Sequence, residues 1–449
     1  MSLHPTAGSP ADPLDEVLDL TRRLIRIDTS NLPGNETPAA ECLRELLAEA
    51  GVEAALVARD PARANLVARI PGTGDGPSLA FVGHLDVVPA DPRDWTHPPF
   101  EAVVDDQGYL YGRGAVDMKN EVAARTVAFA RLARAGFRPR GDLWLVMVSD
   151  EEDGRAQTGM EWLVGAMPEI RCDLAINEGG AGRLTLADGR VLHELSIGEK
   201  GTYPATVTAL GEAGHASMPT LGRNAIPLLA RLLTGFGDGL PVAGLPAVSR
   251  PFFAALLGQQ ALDDPAADPV ELIARARAAH PVLDHVVPAL TGTTMTPTML
   301  AAGLRLNVIP ARAGVQVDCR VLPGATPAQV EAELRGRLDD SVPHQVEWPD
   351  RFTAGTASPP DGALPAAVQE WLDLHDPGAR LLPTICPGFT DSTHLRNAFG
   401  TAAYGFSPFL RTPATVIEAG FHNADERVQV DDLAHSVRFH EHLARTLLG

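Results

Sequence analysis

The chain has 449 residues, a formal charge of −20, 45% hydrophobic and 21% charged residues. That length suits two or three domains and that balance a globular protein. The acidic excess argues against nucleic acid or an anionic membrane as partner. No run of 18 apolar residues occurs, so no membrane-spanning helix is expected. Cys42, Cys172, Cys319 and Cys386 lie far apart and form no CxxC pair. They read as buried free thiols in a reducing, cytoplasmic setting. Residues 1–13 hold three prolines and no basic stretch followed by an apolar core, the pattern of a disordered leader rather than a signal peptide.

Helical spacing of apolar residues runs from Asp15 to Ile27, and a second helix is expected from Thr37 to Gly51, with Thr37 as its cap and Pro38 in the first turn. Asn65 to Ile70 and Ser78 to Val82 read as strands, Glu101 to Tyr111 as a hairpin, and a helix follows Asn120 to about Ala135. The very apolar strand Gly141 to Ser149 runs straight into Asp150-Glu151-Glu152-Asp153. A helix near 159–166 and the strand Leu174 to Ile176 lead to Asn177-Glu178-Gly179. Alternating strands and helices predict an α/β fold with a mainly parallel sheet flanked by helices. In such sheets ligands gather at the carboxyl ends of the strands, where His84, Glu151, Glu152 and Glu178 all fall.

The pattern changes near residue 200. Strands at 203–210, 293–301, 314–322 and 345–348 and helices at 224–236 and 326–338 give the order βαββαβ of a ferredoxin-like α+β domain. Residues 238–292 form an Ala/Pro-rich insertion in it. Beyond about 350 the α/β pattern returns, with a helix at 364–375, strands at 380–385 and 402–406, and a last amphipathic helix from Val430. The expected division is therefore a discontinuous domain, 1–199 with 351–449, interrupted by an inserted domain at 200–350.

Five residues are candidate metal ligands: His84, Asp117, Glu152, Glu178 and His422. Two imidazoles and three carboxylates suit two borderline divalent ions such as zinc. One carboxylate must then bridge, and Asp117, in a Gly-rich turn, is the choice. Asp86 stands two residues after His84, on the same side of an extended chain, where a carboxylate can orient the imidazole. Glu151 and Glu152 are neighbours whose side chains diverge, so one can bind metal while the other serves as general base. In isolation these four acids would read as a solvated turn; their position at the end of a very apolar strand weakens that reading.

Six motifs occur in order: Gly83-His84-Leu85-Asp86-Val87-Val88-Pro89, Gly112-Arg113-Gly114-Ala115-Val116-Asp117-Met118-Lys119, Asp150-Glu151-Glu152, Asn177-Glu178-Gly179, Gly214-His215-Ala216-Ser217-Met218-Pro219 and Asn307-Val308-Ile309-Pro310. On these the chain strongly resembles the di-zinc metallopeptidases that include aminoacylase-1, glutamate carboxypeptidase, carboxypeptidase S, acetylornithine deacetylase and succinyl-diaminopimelate desuccinylase, over about residues 15 to 445. The resemblance implies one zinc on His84, Asp117 and Glu178 and a second on Asp117, Glu152 and His422, with Co2+ or Mn2+ able to substitute. It implies Glu151 as general base and proton shuttle, Asp86 as the orienter of His84, and a cis peptide after Asp117.

The same resemblance makes 200–350 a lid and dimerisation domain, with His215 reaching the partner subunit's site to stabilise the oxyanion. It makes Asn307 and Arg320 holders of the substrate carboxylate or reacting carbonyl; a structural salt bridge is the other reading of Arg320. Thr393 stands where aminoacylase-type relatives often carry Arg, and Arg396 is the substitute anchor. His394 is read as no ligand, and His435, His440 and His442 as surface residues of the last helix. The expected activity is hydrolysis of an amide bond beside a free carboxylate, in an N-acyl-amino acid, a dipeptide or a C-terminal residue. Desuccinylase- or deacetylase-type deacylation is the alternative. A non-catalytic binding module is the remote one, since no ligand or base is missing. A homodimer and small substrates are the expected partners.

Overall fold

The computed structural model describes residues 12–241 and 244–449. Most of the leader expected over residues 1–13 thus falls outside the described residues. The chain forms two compact units, Met1–Leu195 with Pro359–Leu381 and Thr390–Gly449, and Ser196–Ser358 with Leu382–Phe389.

In the first unit four parallel strands form the middle of the main sheet, in the order Leu143–Val148, Leu79–His84, Leu174–Asn177, Ala402–Gly405. All six residues of Leu143–Val148 and all six of Leu79–His84 are buried. Covered on both faces, such strands read as continuous apolar runs. Asn65–Ile70 and then Ala54–Val57 extend the sheet antiparallel. Sequence reasoning gives no strand at Ala54–Val57, which is too short to show a period. It also gives none at Val191–Glu199, where buried His193 and half-buried Glu194 interrupt the apolar pattern. His193 is tolerated inside because its Nε2 lies 2.8 Å from Asp376 Oδ2.

Helix Lys119–Arg134 packs under the sheet against Leu14–Arg26 and Val430–Leu448, with 13 of its 16 residues buried. A helix so enclosed must satisfy its polar side chains internally. Arg125 accordingly donates to the carbonyls of Val82 and Asn177 and to His440 Nε2. This corrects the reading of the last helix: His440 is fully buried as a neutral acceptor, and His435 and His442 are half-buried against Trp371. Thr37 also departs from expectation. Its hydroxyl donates to Pro61 O and accepts from Ala64 N, tying the helix start to a loop instead of capping it. Ser392–Phe399 and Ala414–Gly420, for which sequence reasoning gives no helix, are short helices.

In the second unit the strands Ala205–Leu210, Thr294–Ala302, Arg312–Val321 and His344–Glu347 are antiparallel, in the order fourth, first, third, second. With helices Ala225–Leu233 and Pro327–Arg337 this is the ferredoxin-like arrangement. Alternate residues Ala205, Val207 and Ala209 pack with Val315, Val317 and Leu334 in its core. The insertion holds four short helices, Arg250–Leu257, Gln259–Asp263, Pro269–Ala278 and Pro281–Ala289, around Phe252, Phe253 and Leu283. Buried Lys200 donates to Ala289 O at 3.0 Å and Gly292 O at 2.9 Å where the insertion returns to the sheet. Cys42, Cys172 and Cys319 are buried thiols and Cys386 is half-buried. No helix of the described residues is long and apolar enough to cross a membrane.

Candidate metal centre

Three adjacent strand ends build the centre. His84 ends the middle strand, Asp150-Glu151-Glu152 follows the strand on one side, and Glu178 follows the strand on the other. Parallel neighbours all present their carboxyl ends to one edge, so residues far apart in the chain converge. The Gly112–Asp117 loop and the turn at His422 complete the group.

Asp117 stands between the two imidazoles. Its Oδ1 is 3.1 Å from His84 Nε2 and its Oδ2 is 3.4 Å from His422 Nε2. His84 Nε2 is 3.4 Å from Glu178 Oε2, and His422 Nε2 is 3.1 Å from Glu152 Oε2. The peptide between Asp117 and Met118 is cis. On the far side of its ring, His84 Nδ1 lies 3.0 Å from Asp86 O and 3.6 Å from Asp86 Oδ1. Asp86 is wholly buried, and its carboxylate accepts from the backbone N–H of Glu151 and of Glu152. One residue therefore faces both the imidazole and the acidic turn.

The electrostatics show an excess of negative charge. Burial pushes the Glu151 carboxyl well above its ordinary range, and the nearby Glu178 adds to this. Burial likewise raises Glu178, lifts Glu152 to about 7, and raises Asp391 well above the usual carboxyl range. Asp117 moves the other way: against its burial, hydrogen bonds to His422 and His84 hold it low. His422 is raised to about 10 by its bonds to Asp117 and Glu152. For the His422–Glu152 contact the two partners move in the same direction, which a simple ion pair would not give. Burial dominates the carboxyl, while the imidazole is 57% exposed and faces two acids.

His84, Asp117 and Glu152, and separately His84, Glu151 and Glu178, each bring ligand atoms within 4.8 Å of one another. Glu152 Oε1 and Glu178 Oε1 are buried with no hydrogen-bond partner among the described residues. Orphaned carboxylate oxygens, two imidazoles and a surplus of buried acids fit divalent cations, which would supply the missing positive charge.

Sequence reasoning missed the groups that hold this arrangement. Glu426 accepts from Arg113 Nη1 at 2.7 Å and from the N–H of Gly114, Val116 and Asp117 at 3.0, 2.6 and 2.9 Å, fixing the loop that carries Asp117. It lies four residues after His422. Asp391 stands in the Thr390-Asp391-Ser392 loop, and its neighbour Ser392 accepts from Asn177 Nδ2 at 3.1 Å. Arg396 donates to Ala403 O at 2.6 Å, a bond to strand backbone. His394 is half-buried on the helix Ser392–Phe399.

In the second unit His215 and Asn307 come together. The ribbon pairs Gly214 with Ile309 and His215 with Val308, and Ala216 N donates to Asn307 O at 3.1 Å. Both side chains are exposed, and His215 Nδ1 is 2.8 Å from Ser217 Oγ. Arg320 is paired with Asp318 at 3.0 Å, the salt bridge that stood as its other reading.

A parallel α/β sheet with an acid-rich, two-imidazole centre at its carboxyl edge and a separate ferredoxin-like unit defines a metal-dependent hydrolase of the peptidase and amidohydrolase class. The chain belongs to Peptidase family M20/M25/M40, which matches residues 80–446. It is 30% identical to a succinyl-diaminopimelate desuccinylase of Rhodospirillum centenum over 377 residues, 82% of this chain and 80% of that one. It is 28% identical to mouse aminoacylase-1 over 417 residues, 92% and 90% of the two chains. Identity reaches 42% with the succinyl-diaminopimelate desuccinylase of Alkalilimnicola ehrlichii, over 154 residues that span 39% of that protein. Among solved structures, an M20 family metallo-carboxypeptidase from Sulfolobus solfataricus shares the fold with a TM-score of 0.69 at 19% identity, covering 96% of this chain and 99% of that one.

Proposed function

We propose that the protein is a two-zinc hydrolase that cleaves an amide bond beside a free carboxylate, acting on an N-acyl-amino acid, a dipeptide or a C-terminal residue. The observation that carries this reading is Asp117, whose two oxygens each face a different imidazole. His84, Asp117 and Glu178 would hold one ion, and Asp117, Glu152 and His422 the other. When bound, such ions would lower the pKa of a water and polarise a carbonyl. Glu151, beside these ligands and not needed as one, takes the proton from the attacking water and passes it to the leaving amine. Its burial among acids favours a proton-accepting group of raised pKa, suited to work near neutral pH. Asp86 fixes the tautomer of His84 by facing its Nδ1.

Residues 200–350 act in this reading as a lid that also pairs two subunits. The edge strand Thr294–Ala302 and the loop after it support the pairing. Met299 and Leu300 are 61% and 68% exposed, and Leu304 and Leu306 are fully so. Apolar rows on a sheet edge call for cover, and two-fold pairing is the commonest. His215 and Asn307, side by side on an exposed ribbon, would then serve the partner's site. The commitment of Arg396 to Ala403 O counts against it as the carboxylate anchor, and Arg320 would have to leave Asp318 to take that part.

The desuccinylase relatives favour a second substrate class, N-succinyl-diaminopimelate, and acetylornithine belongs with it. Free cysteines and an acidic composition support a cytoplasmic enzyme. The test is metal analysis together with a hydrolysis screen over N-acetyl-amino acids, dipeptides, N-succinyl-diaminopimelate and N-acetylornithine. Two ions per chain with turnover of one class upholds the reading and selects the substrate. Bound ions with no turnover of any would favour a binding module.

A further inference from the structure

The segment from Thr29 to Glu36 is stitched alongside the residues that come after His84. Thr29 Oγ1 donates to Leu85 O at 2.7 Å, Val87 N to Thr29 O at 3.2 Å, and Asn31 N to Val87 O at 2.9 Å. This delivers the Asn31 side chain between two buried carboxylates. Its Nδ2 lies 2.9 Å from Asp86 Oδ2 and 3.1 Å from Asp150 Oδ1. Five residues on, the same segment supplies Glu36, fully buried, whose carboxylate takes Arg63 Nε at 2.9 Å and Nη2 at 2.5 Å. The fork of a guanidinium leaves its second terminal nitrogen pointing elsewhere. Here that nitrogen, Nη1, stands 3.3 Å from Asp150 Oδ1. Gly34, at φ +81°, lies against the guanidinium, and any side chain there would occupy the place of Arg63.

Asp150 is the residue on which the strand Leu143–Val148 turns into the acidic pair. It sits at φ +58°, a left-handed conformation that is unfavourable for a non-glycine residue and persists where surroundings enforce it. Asn31, Arg63 and the N–H of Thr158 are those surroundings. Asp86, held by the same Asn31, grips the next two N–H groups, those of Glu151 and Glu152. The turn is thus held from both carboxylates at once, by groups that are not metal ligands themselves.

We infer that Asn31 and Arg63 are positioning residues, which set the directions in which Glu151 and Glu152 leave the turn. The inference rests on the reading of Glu151 as base and Glu152 as ligand. Loss of Asn31 leaves Asp86 and Asp150 facing each other without the amide between them, and the pair of N–H groups on Asp86 shifts with it.

The test uses the full chain with Asn31→Ala, Arg63→Met, Arg63→Lys and Glu151→Ala, measuring thermal melting, the two zinc affinities by chelator competition, and kcat and KM separately. Partners of this kind typically contribute about 10- to 100-fold to metal affinity or activity. Asn31→Ala is expected to lower kcat by that factor with KM changed less than about threefold. It is expected to weaken one of the two zinc affinities by a similar factor and to spare the other. Arg63→Met behaves likewise, and Arg63→Lys recovers part of the loss. At saturating zinc in the Glu151→Ala background, Asn31→Ala removes no further turnover. A folded Asn31→Ala enzyme with normal kcat, equal weakening of both ions, or a full additional loss on top of Glu151→Ala would overturn the inference. If Asn31→Ala and both Arg63 variants fail to fold, the network serves stability and the inference falls as well. The underlying reading fails separately, by Glu151→Ala retaining its turnover.

Discussion

The two units solve opposite problems. In the first, His84 is 1% exposed, Asp86 is wholly buried, and Asn31 and Glu426, distant in the chain, hold Asp86 and the loop that carries Asp117. In the second, His215 and Asn307 are exposed, and the hydrogen bonds of His215 are local, to Ser217 two residues away. A buried cluster can be organised before any substrate arrives, at the cost of raised carboxyl pKa values. An exposed ribbon costs nothing in desolvation and contributes only when something covers it. Under the proposed function this division is the one expected where charge stabilisation has to come with closure.

The first way to break this contrast is to empty the buried cluster. Chelation is expected to abolish turnover altogether. His422→Ala, which removes an imidazole facing both Asp117 and Glu152, should leave one ion per chain, while His394→Ala leaves two. Elemental analysis of the two variants decides between them, and the reverse pattern makes His394 the ligand.

Glu151→Ala sharpens it next, by separating base from ligand. Turnover should fall about 10²- to 10⁴-fold, the usual contribution of a general base, with both ions retained. One ion lost with high residual activity would mean that Glu151 and Glu152 exchange roles.

The exposed ribbon comes third. His215→Ala is expected to cost about 10²- to 10³-fold in turnover, the effect of one oxyanion donor, without altering metal content. Mixed with Glu151→Ala and allowed to exchange subunits, it should regain up to half-site activity, since one site then has both intact groups. Mixtures that stay inactive after proven exchange would confine His215 to its own chain.

Legibility in the sequence divides along the same line. Strand ends carrying His84, Glu151, Glu152 and Glu178 announce themselves, because a buried parallel strand is a continuous apolar run and the residues just past its end must sit at the sheet edge. The order βαββαβ is legible for the same local reason. Asn31, Arg63 and Glu426 are not. Asn31 meets Asp150 across 119 residues and Glu426 meets Asp117 across 309, and no local period encodes such a meeting. His440 misleads for a related cause: on an amphipathic helix a polar residue reads as solvent-facing unless its partner, here Arg125, is known to be buried opposite.

The smallest effect concerns acid stability. His435 accepts from Trp371 Nε1 at 3.3 Å and is flanked by the His375 ring, whose centroid is 5.4 Å away, with Arg438 and His193 as further positive or potentially positive neighbours and Asp376 as the opposing acid. Burial, reinforced by these cations, lowers its pKa to about 3. The unfolded chain titrates an imidazole near about 6.5. Between those values the unfolded state binds more protons than the folded one, so stability falls as pH drops below about 6.5 and the loss levels off near 3. At pH 5 this single group should remove about 2 kcal/mol relative to pH 8. In the second unit burial lowers the pKa of His280 as well, so an acid-sensitive histidine is present in each unit. Urea unfolding of the wild type and His435→Asn at pH 8 and pH 5 measures the difference directly. The variant keeps a group able to accept from Trp371 but takes up no proton, so its stability should decline less with acid by about 2 kcal/mol. Equal declines would mean that His435 titrates normally in the folded protein, and that the packing around Trp371 is open to water.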